Sequence, residues 1–177
     1  MQILAISGSL RLNSTNSNLL RAAASLAPKN VNFKFYDGLA DLPHFSPELD
    51  SDNPPASVTH LRELLQLADG VIICTPEYAF GVPGSLKNAL DWTVSSGAFA
   101  GKPTGAISAS PNHLGGERAH ASLVLTLTAL AARVVEDASF TVPFVRTKLN
   151  AEGAPETNLA AALRAALDAL ARAAREC

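Results

Sequence analysis

Two stretches carry residue types dense enough to do chemistry. The first is "SGSLRLNSTNSN" (Ser7 to Asn18), a run of hydroxyls and amides around Arg11. Gly8 is its lone glycine, so it forms neither G-x-G-x-x-G nor a Walker-type G-x-x-x-x-G-K. The composition suits a terminal phosphate monoester, which is near-dianionic and presents three acceptor oxygens. Ser9, Ser14, Asn16 and Ser17 can surround such a group, together with backbone N–H groups and the N-terminus of a helix starting near Asn16. Arg11 adds a charge-assisted bond. The plainer reading is that Ser, Asn and Gly turn the chain and cap the helix. That accounts for one or two of these residues and not for the whole run.

The second stretch is "PEYAFGVPGSLKNALDW" (Pro76 to Trp92), directly after the apolar run "GVIICT". Pro76 and Pro83 stiffen the backbone, and Gly81 and Gly84 permit close approach, so a planar ring could lie along exposed backbone N–H groups. Glu77 is either a catalytic acid or, the preferred reading, a group that holds the loop by an ion pair or hydrogen bonds. Trp92 reads as a core or interface anchor, while Lys87, Asn88 and Asp91 position the helix or join a subunit contact. A third polar loop, "SASPNHLGGERAH" (Ser108 to His120), places Gly115 and Gly116 before an apolar helix. His113 reads as a surface residue of that loop.

These loops need elements to position them. "ILAIS" (Ile3 to Ser7) and "GVIICT" (Gly70 to Thr75) are near-continuous apolar runs, as in strands buried on both faces of a parallel sheet. "VNFKFYD" (Val31 to Asp37) alternates and reads as an edge strand. "TGAISAS" (Thr104 to Ser110) is a fourth strand, and Ala132 to Val142 supplies a fifth, weaker one. Helical stripes run over Asn16 to Leu26, Val58 to Ala68, Ser85 to Trp92, Leu123 to Val134 and Leu159 to Leu170. "DLPHFSPELDSDNPPAS" reads as a loop. Alternating strands and helices predict a doubly wound α/β sandwich, and five strands favour the flavodoxin-like order 2-1-3-4-5. Ligands then bind beyond the carboxyl ends of the strands, where the loops after strands one, three and four converge.

Composition narrows the partners. The chain has 177 residues, 47% hydrophobic and 17% charged, which fits a single domain over residues 1–177. Net charge is −2 with no cluster of Lys and Arg, which disfavours nucleic acid and anionic membranes. The start, "MQILAISGSL", reads as a strand and not a signal peptide, and no apolar run approaches the ~20 residues of a membrane span. Cys74 and Cys177 show no metal or disulfide spacing, and Cys74 reads as a small core residue. His44, His60 and His120 likewise lack metal-ligand spacing. A cytoplasmic location is the default expectation.

Three motifs, in order along the chain to about residue 120, resemble the NADPH-dependent FMN reductases, a flavodoxin-like family that includes quinone, chromate and azo-dye reductases. "GSLRLNSTN" resembles the family's G-S-L-R-x-x-S-x-N phosphate loop. The Pro76 to Trp92 stretch resembles its P-E-Y-N-x-x-x-P-G-x-L-K-N-A-x-D-W segment. "GKPTGAISASPNHLGGERAH" resembles its third strand-and-loop motif. The resemblance implies that Ser9, Arg11, Ser14 and Asn16, with Ser17 as a weaker addition, hold the FMN phosphate. It implies that Pro76, Glu77, Tyr78 and Ala79 line the isoalloxazine edge, largely through backbone groups, and that Ser110 closes the other side. Two departures stand out. Ala79 replaces the family's usual Asn, and "SPNHLGG" lacks a glycine that is common after Ser-x or Ser-Pro.

The activity implied is FMN-dependent oxidation of NADPH or NADH, with electrons passed in ping-pong order to quinones, flavins, azo compounds or metal oxyanions such as chromate. The chemistry resides on the flavin, so no catalytic side chain is expected. A homodimer or homotetramer is implied as well. The alternatives are a flavodoxin-type electron carrier, disfavoured by the near-balanced charge and sparse aromatics, and a flavin-free binding module on the same fold.

Overall fold

The computed structural model describes residues 1–11 and 13–176; Leu12 and Cys177 lie outside them. Six parallel strands form one sheet: β1 (Gln2–Ser7), β2 (Asn32–Tyr36), β3 (Gly70–Thr75), β4 (Pro103–Ala109), β5 (Arg133–Val134) and β6 (Phe140–Val142). Their order is β2-β1-β3-β4-β5, with β6 also paired to β4. The predicted flavodoxin-like order is the one observed. Five helices flank the sheet: α1 (Thr15–Leu26), α2 (Ala56–Leu67), α3 (Gly84–Asp91), α4 (Glu117–Ala129) and α5 (Thr157–Arg175).

Strand periodicity sorts the apolar residues into two cores. Leu4, Ile6, Val71 and Ile73 point to the side covered by α2, α3 and α4. Ile3, Ala5, Ile72 and Cys74 point to the side covered by α1 and α5. Both faces are therefore dry, which is why β1 and β3 read as unbroken apolar runs. On α5, Leu159, Leu163, Leu167 and Leu170 recur at helical spacing and are all buried. β2 lies at the sheet edge with three of its five residues exposed.

The fifth predicted strand is two strands. A 3-10 turn at Glu136–Ala138 separates β5 from β6. The turn leaves a gap in the ladder along β4, and a side chain fills it. Ser139 Oγ accepts a hydrogen bond from the Ala106 N–H at 3.1 Å and donates to the Val135 carbonyl at 2.8 Å. A buried N–H that would lack a strand partner is thereby satisfied.

Register brings the carboxyl ends level. Ser7 pairs with Cys74, Thr75 with Ser108, and Ala109 with Val142. The loops after β1, β3, β4 and β6 consequently leave the sheet side by side. Gly8 lets the first two approach, since a Cβ there would lie 2.8 Å from Thr75 Oγ1.

Candidate functional site

The loops meet around a crevice of about 290 Å³. Ser9, Arg11, Ser14 and Asn16 line it from the first loop and α1, Pro76, Glu77 and Tyr78 from the loop after β3, and Ser110 from the end of β4. Eight of the ten residues singled out in the sequence are thus together. Ser17 and Ala79 are not among them. Ser17 donates its hydroxyl to Ser7 Oγ at 2.9 Å, bracing the first loop from the other side. Ala79 is exposed on a turn beyond the crevice.

Each polar group is set by a neighbour. Ser14 is the N-cap of α1, its Oγ accepting from the Asn16 N–H at 3.2 Å, and it is only 3% exposed. Asn16, 5% exposed, has its Oδ1 taken by the Cys74 thiol, which donates at 3.1 Å. Burial pushes the Cys74 thiol pKa far up, so it stays protonated as that donor. The acceptor end of the amide is occupied, and its Nδ2 donors remain for the crevice. The first turn of α1 contains no acidic residue, so the helix N-terminus presents its positive end uncompensated.

Glu77 resolves towards a holding role. Its Oε2 accepts from the backbone N–H groups of Arg118 and Ala119 at 2.9 and 3.0 Å. These are the orphan donors at the start of α4, whose N-cap is Gly116, a residue with no side chain of its own to cap with. A carboxylate from one loop thus caps the helix that begins at the next. The loop between is fixed further by Ser108 Oγ, which donates to the Gly115 carbonyl at 2.8 Å. Gly115 has φ +64, and a Cβ there would lie 2.8 Å from the Pro143 nitrogen.

The rest of the second stretch is structural. Trp92 is fully buried, donates Nε1–H to the Pro43 carbonyl at 2.8 Å and packs edge-on against Phe45. Asn88 donates to Pro43 and accepts from the Phe45 N–H, clipping the long Pro-rich loop to α3. Lys87 and Asp91 form an i,i+4 ion pair. His113 is exposed and does not line the crevice. Among the described residues there is no group of His, Cys, Asp and Glu able to hold a metal ion, and no helix is long and apolar enough to cross a membrane.

Thr15, Ala109, Pro111, Val145 and Arg146 also line the crevice. Thr15 lies inside the polar run and was foreseeable. Val145 and Arg146 follow β6, where no motif marks them.

The chain matches the NADPH-dependent FMN reductase family over residues 1–147. The chain belongs to that family. A quinone reductase of Escherichia coli is 33% identical over 153 residues, covering 85% of this chain and 81% of that protein. A 2-hydroxy-1,4-benzoquinone reductase of a Burkholderia species is 39% identical over 137 residues, covering 71% and 74%. The solved structure of FerB, a flavoenzyme NAD(P)H:(acceptor) oxidoreductase from Paracoccus denitrificans, superposes with a TM-score of 0.89 at 28% identity, over 99% of this chain and 97% of that one. The cofactor of the family is FMN, with NAD(P)H as co-substrate and small molecules as acceptors. The chain is accordingly an NAD(P)H-dependent oxidoreductase. Its donor set fits FMN: hydroxyls, an oriented amide and a guanidinium at a helix N-terminus match a phosphate monoester.

Proposed function

We propose that the chain acts as a single FMN-binding domain over residues 1–177 and reduces quinones, holding the FMN phosphate at the head of α1. The observation that carries this reading is the set Ser9, Arg11, Ser14 and Asn16 gathered at a helix N-terminus without an opposing carboxylate in its first turn. Arg11 and Asn16 Nδ2 donate to the phosphate, and Ser9 and the α1 backbone complete its shell. Ser17 supports the loop through Ser7. The backbone of Pro76 to Ala79 lies along one edge of the ring, and Ser110 closes the other side.

When bound, FMN supplies hydride acceptance from NADPH or NADH and electron delivery to the acceptor, in ping-pong order. The chain's part is to bind, orient and leave one ring face open. Acceptors are quinones first, then free flavins, azo compounds and metal oxyanions such as chromate. The assembly is a homodimer or homotetramer in the cytoplasm. Leu10, Tyr78, Phe80, Leu114 and Phe144 support association, since all are exposed on the loops around the crevice.

The test is a visible spectrum followed by initial rates with benzoquinone. Yellow protein that oxidises NADPH or NADH with parallel double-reciprocal lines is the expected result. A colourless protein that gains no FMN on reconstitution would defeat the cofactor assignment, and intersecting lines would defeat the ping-pong order. Arg11→Ala is expected to weaken FMN binding by about 1.5–3 kcal/mol, the range for a hydrogen bond to a charged group; fluorescence titration measures it, and unchanged affinity would remove Arg11 from the site.

A further inference from the structure

Arg146 lines the same crevice as Arg11 and lies outside all three sequence motifs. It is exposed and makes no ion pair among the described residues, and neither does Arg11. Among the described residues the only carboxylate lining the crevice is Glu77, and one of its oxygens is engaged by the α4 backbone. Two arginines thus line one small space with no carboxylate ion-paired to either among the described residues.

The backbone beneath Arg146 is firmly mounted. Val145 is 1% exposed, and its N–H donates to the Ser110 carbonyl at 3.1 Å. The Phe144 N–H donates to the Asn112 carbonyl at 3.1 Å, and the Ser110 N–H to the Val142 carbonyl at 3.2 Å. This ladder ties the segment after β6 to the loop after β4. A long cationic residue thus lines the crevice from a fixed base, on a different segment from the loop that carries Arg11.

We propose that Arg146 is a second phosphate-binding cation, which together with Arg11 makes the crevice a receptor for a phosphate monoester dianion. One guanidinium leaves much of a charge of about −1.5 to −2 unmatched; two neutralise it. The proposal rests on the reading of the crevice as the FMN site. On that reading the monoester the two arginines share is the 5′-phosphate of FMN.

Arg146→Ala and Arg146→Lys separate the cases, since an exposed side chain can be shortened without disturbing the core. Flavin-free protein is titrated with FMN and with riboflavin, and the FMN-loaded enzyme is assayed with NADPH and NADH. A loss of FMN affinity by about ten- to a hundredfold with riboflavin unchanged, partly restored by Lys, assigns Arg146 to the cofactor phosphate. A rise in KM for NADPH alone, with FMN affinity unchanged, overturns the proposal and points to the 2′-phosphate of NADPH instead. It is overturned as well if Arg146→Ala weakens FMN and riboflavin equally, or leaves FMN affinity unchanged while Arg11→Ala still weakens FMN. If Arg11→Ala is also without effect, the reading of the crevice as the FMN site fails with it.

Discussion

At residues 79 and 80 the chain makes a turn that its own side chains disfavour. The Tyr78 N–H bonds the Gly81 carbonyl and the Gly81 N–H bonds the Tyr78 carbonyl, both at 3.0 Å. The residues between, Ala79 and Phe80, have φ of 48° and 61°. Two left-handed residues inside a reciprocal pair make a type I′ turn, which favours Asn-Gly. Ala and Phe there cost about 1–2 kcal/mol each, and the turn holds out a Phe80 that is 80% exposed. An Asn at position 79, as in the motif this stretch resembles, would suit this left-handed backbone better than Ala. Ala79→Asn is expected to raise stability by about 1 kcal/mol in urea unfolding and to leave FMN affinity within about tenfold. A large loss of flavin would mean that the ring edge meets this turn differently. Side-chain types made Ser9, Arg11, Ser14 and Asn16 legible as one group. Ser17, the weaker addition to that group, turns its hydroxyl to Ser7 through a loop geometry that no spacing reveals. The Cys74–Asn16 contact was equally hidden: an apolar run shows that Cys74 is buried, and only the packing of α1 on β3 shows what its thiol meets.

Elements join at Glu77. A helix that starts on glycine has no cap of its own, and the carboxylate from the β3 loop replaces one. Glu77→Ala is expected to cost about 1–2 kcal/mol of stability and to loosen FMN binding, since the loop after β4 loses its tie to the loop after β3. Glu77→Gln keeps one acceptor oxygen and is expected to lose less of both. An unchanged unfolding midpoint in Glu77→Ala would show that the cap carries no stability. Strand order and four of the helix stripes are legible because both faces of β1 and β3 are buried and the helices are amphipathic; the stripe expected over Leu123 to Val134 overruns, since α4 ends at Ala129 and Val134 lies in β5. The split between β5 and β6 was not, since it depends on a serine hydroxyl substituting for a ladder partner 33 residues away.

Across the whole molecule, pH tests the packing. His120 Nε2 lies 3.1 Å from the Ala106 carbonyl, and burial holds its pKa below the ordinary 6.5 despite that contact. The unfolded chain takes up this proton first as pH falls, so stability declines from about pH 6.5 downward. His120→Gln is expected to flatten that decline in a thermal unfolding series. At the other end, burial first, then Asp41 and Asp37, push Tyr36 up to about 12. The unfolded chain therefore loses that proton first, and stability falls above pH 10. The central claim concerns the loaded molecule: the crevice captures FMN by its phosphate and the flavin does the chemistry. Titrating flavin-free protein with FMN and with riboflavin tests it most directly. The account predicts FMN bound about a hundredfold or more tighter than riboflavin; equal affinity for the two would contradict it.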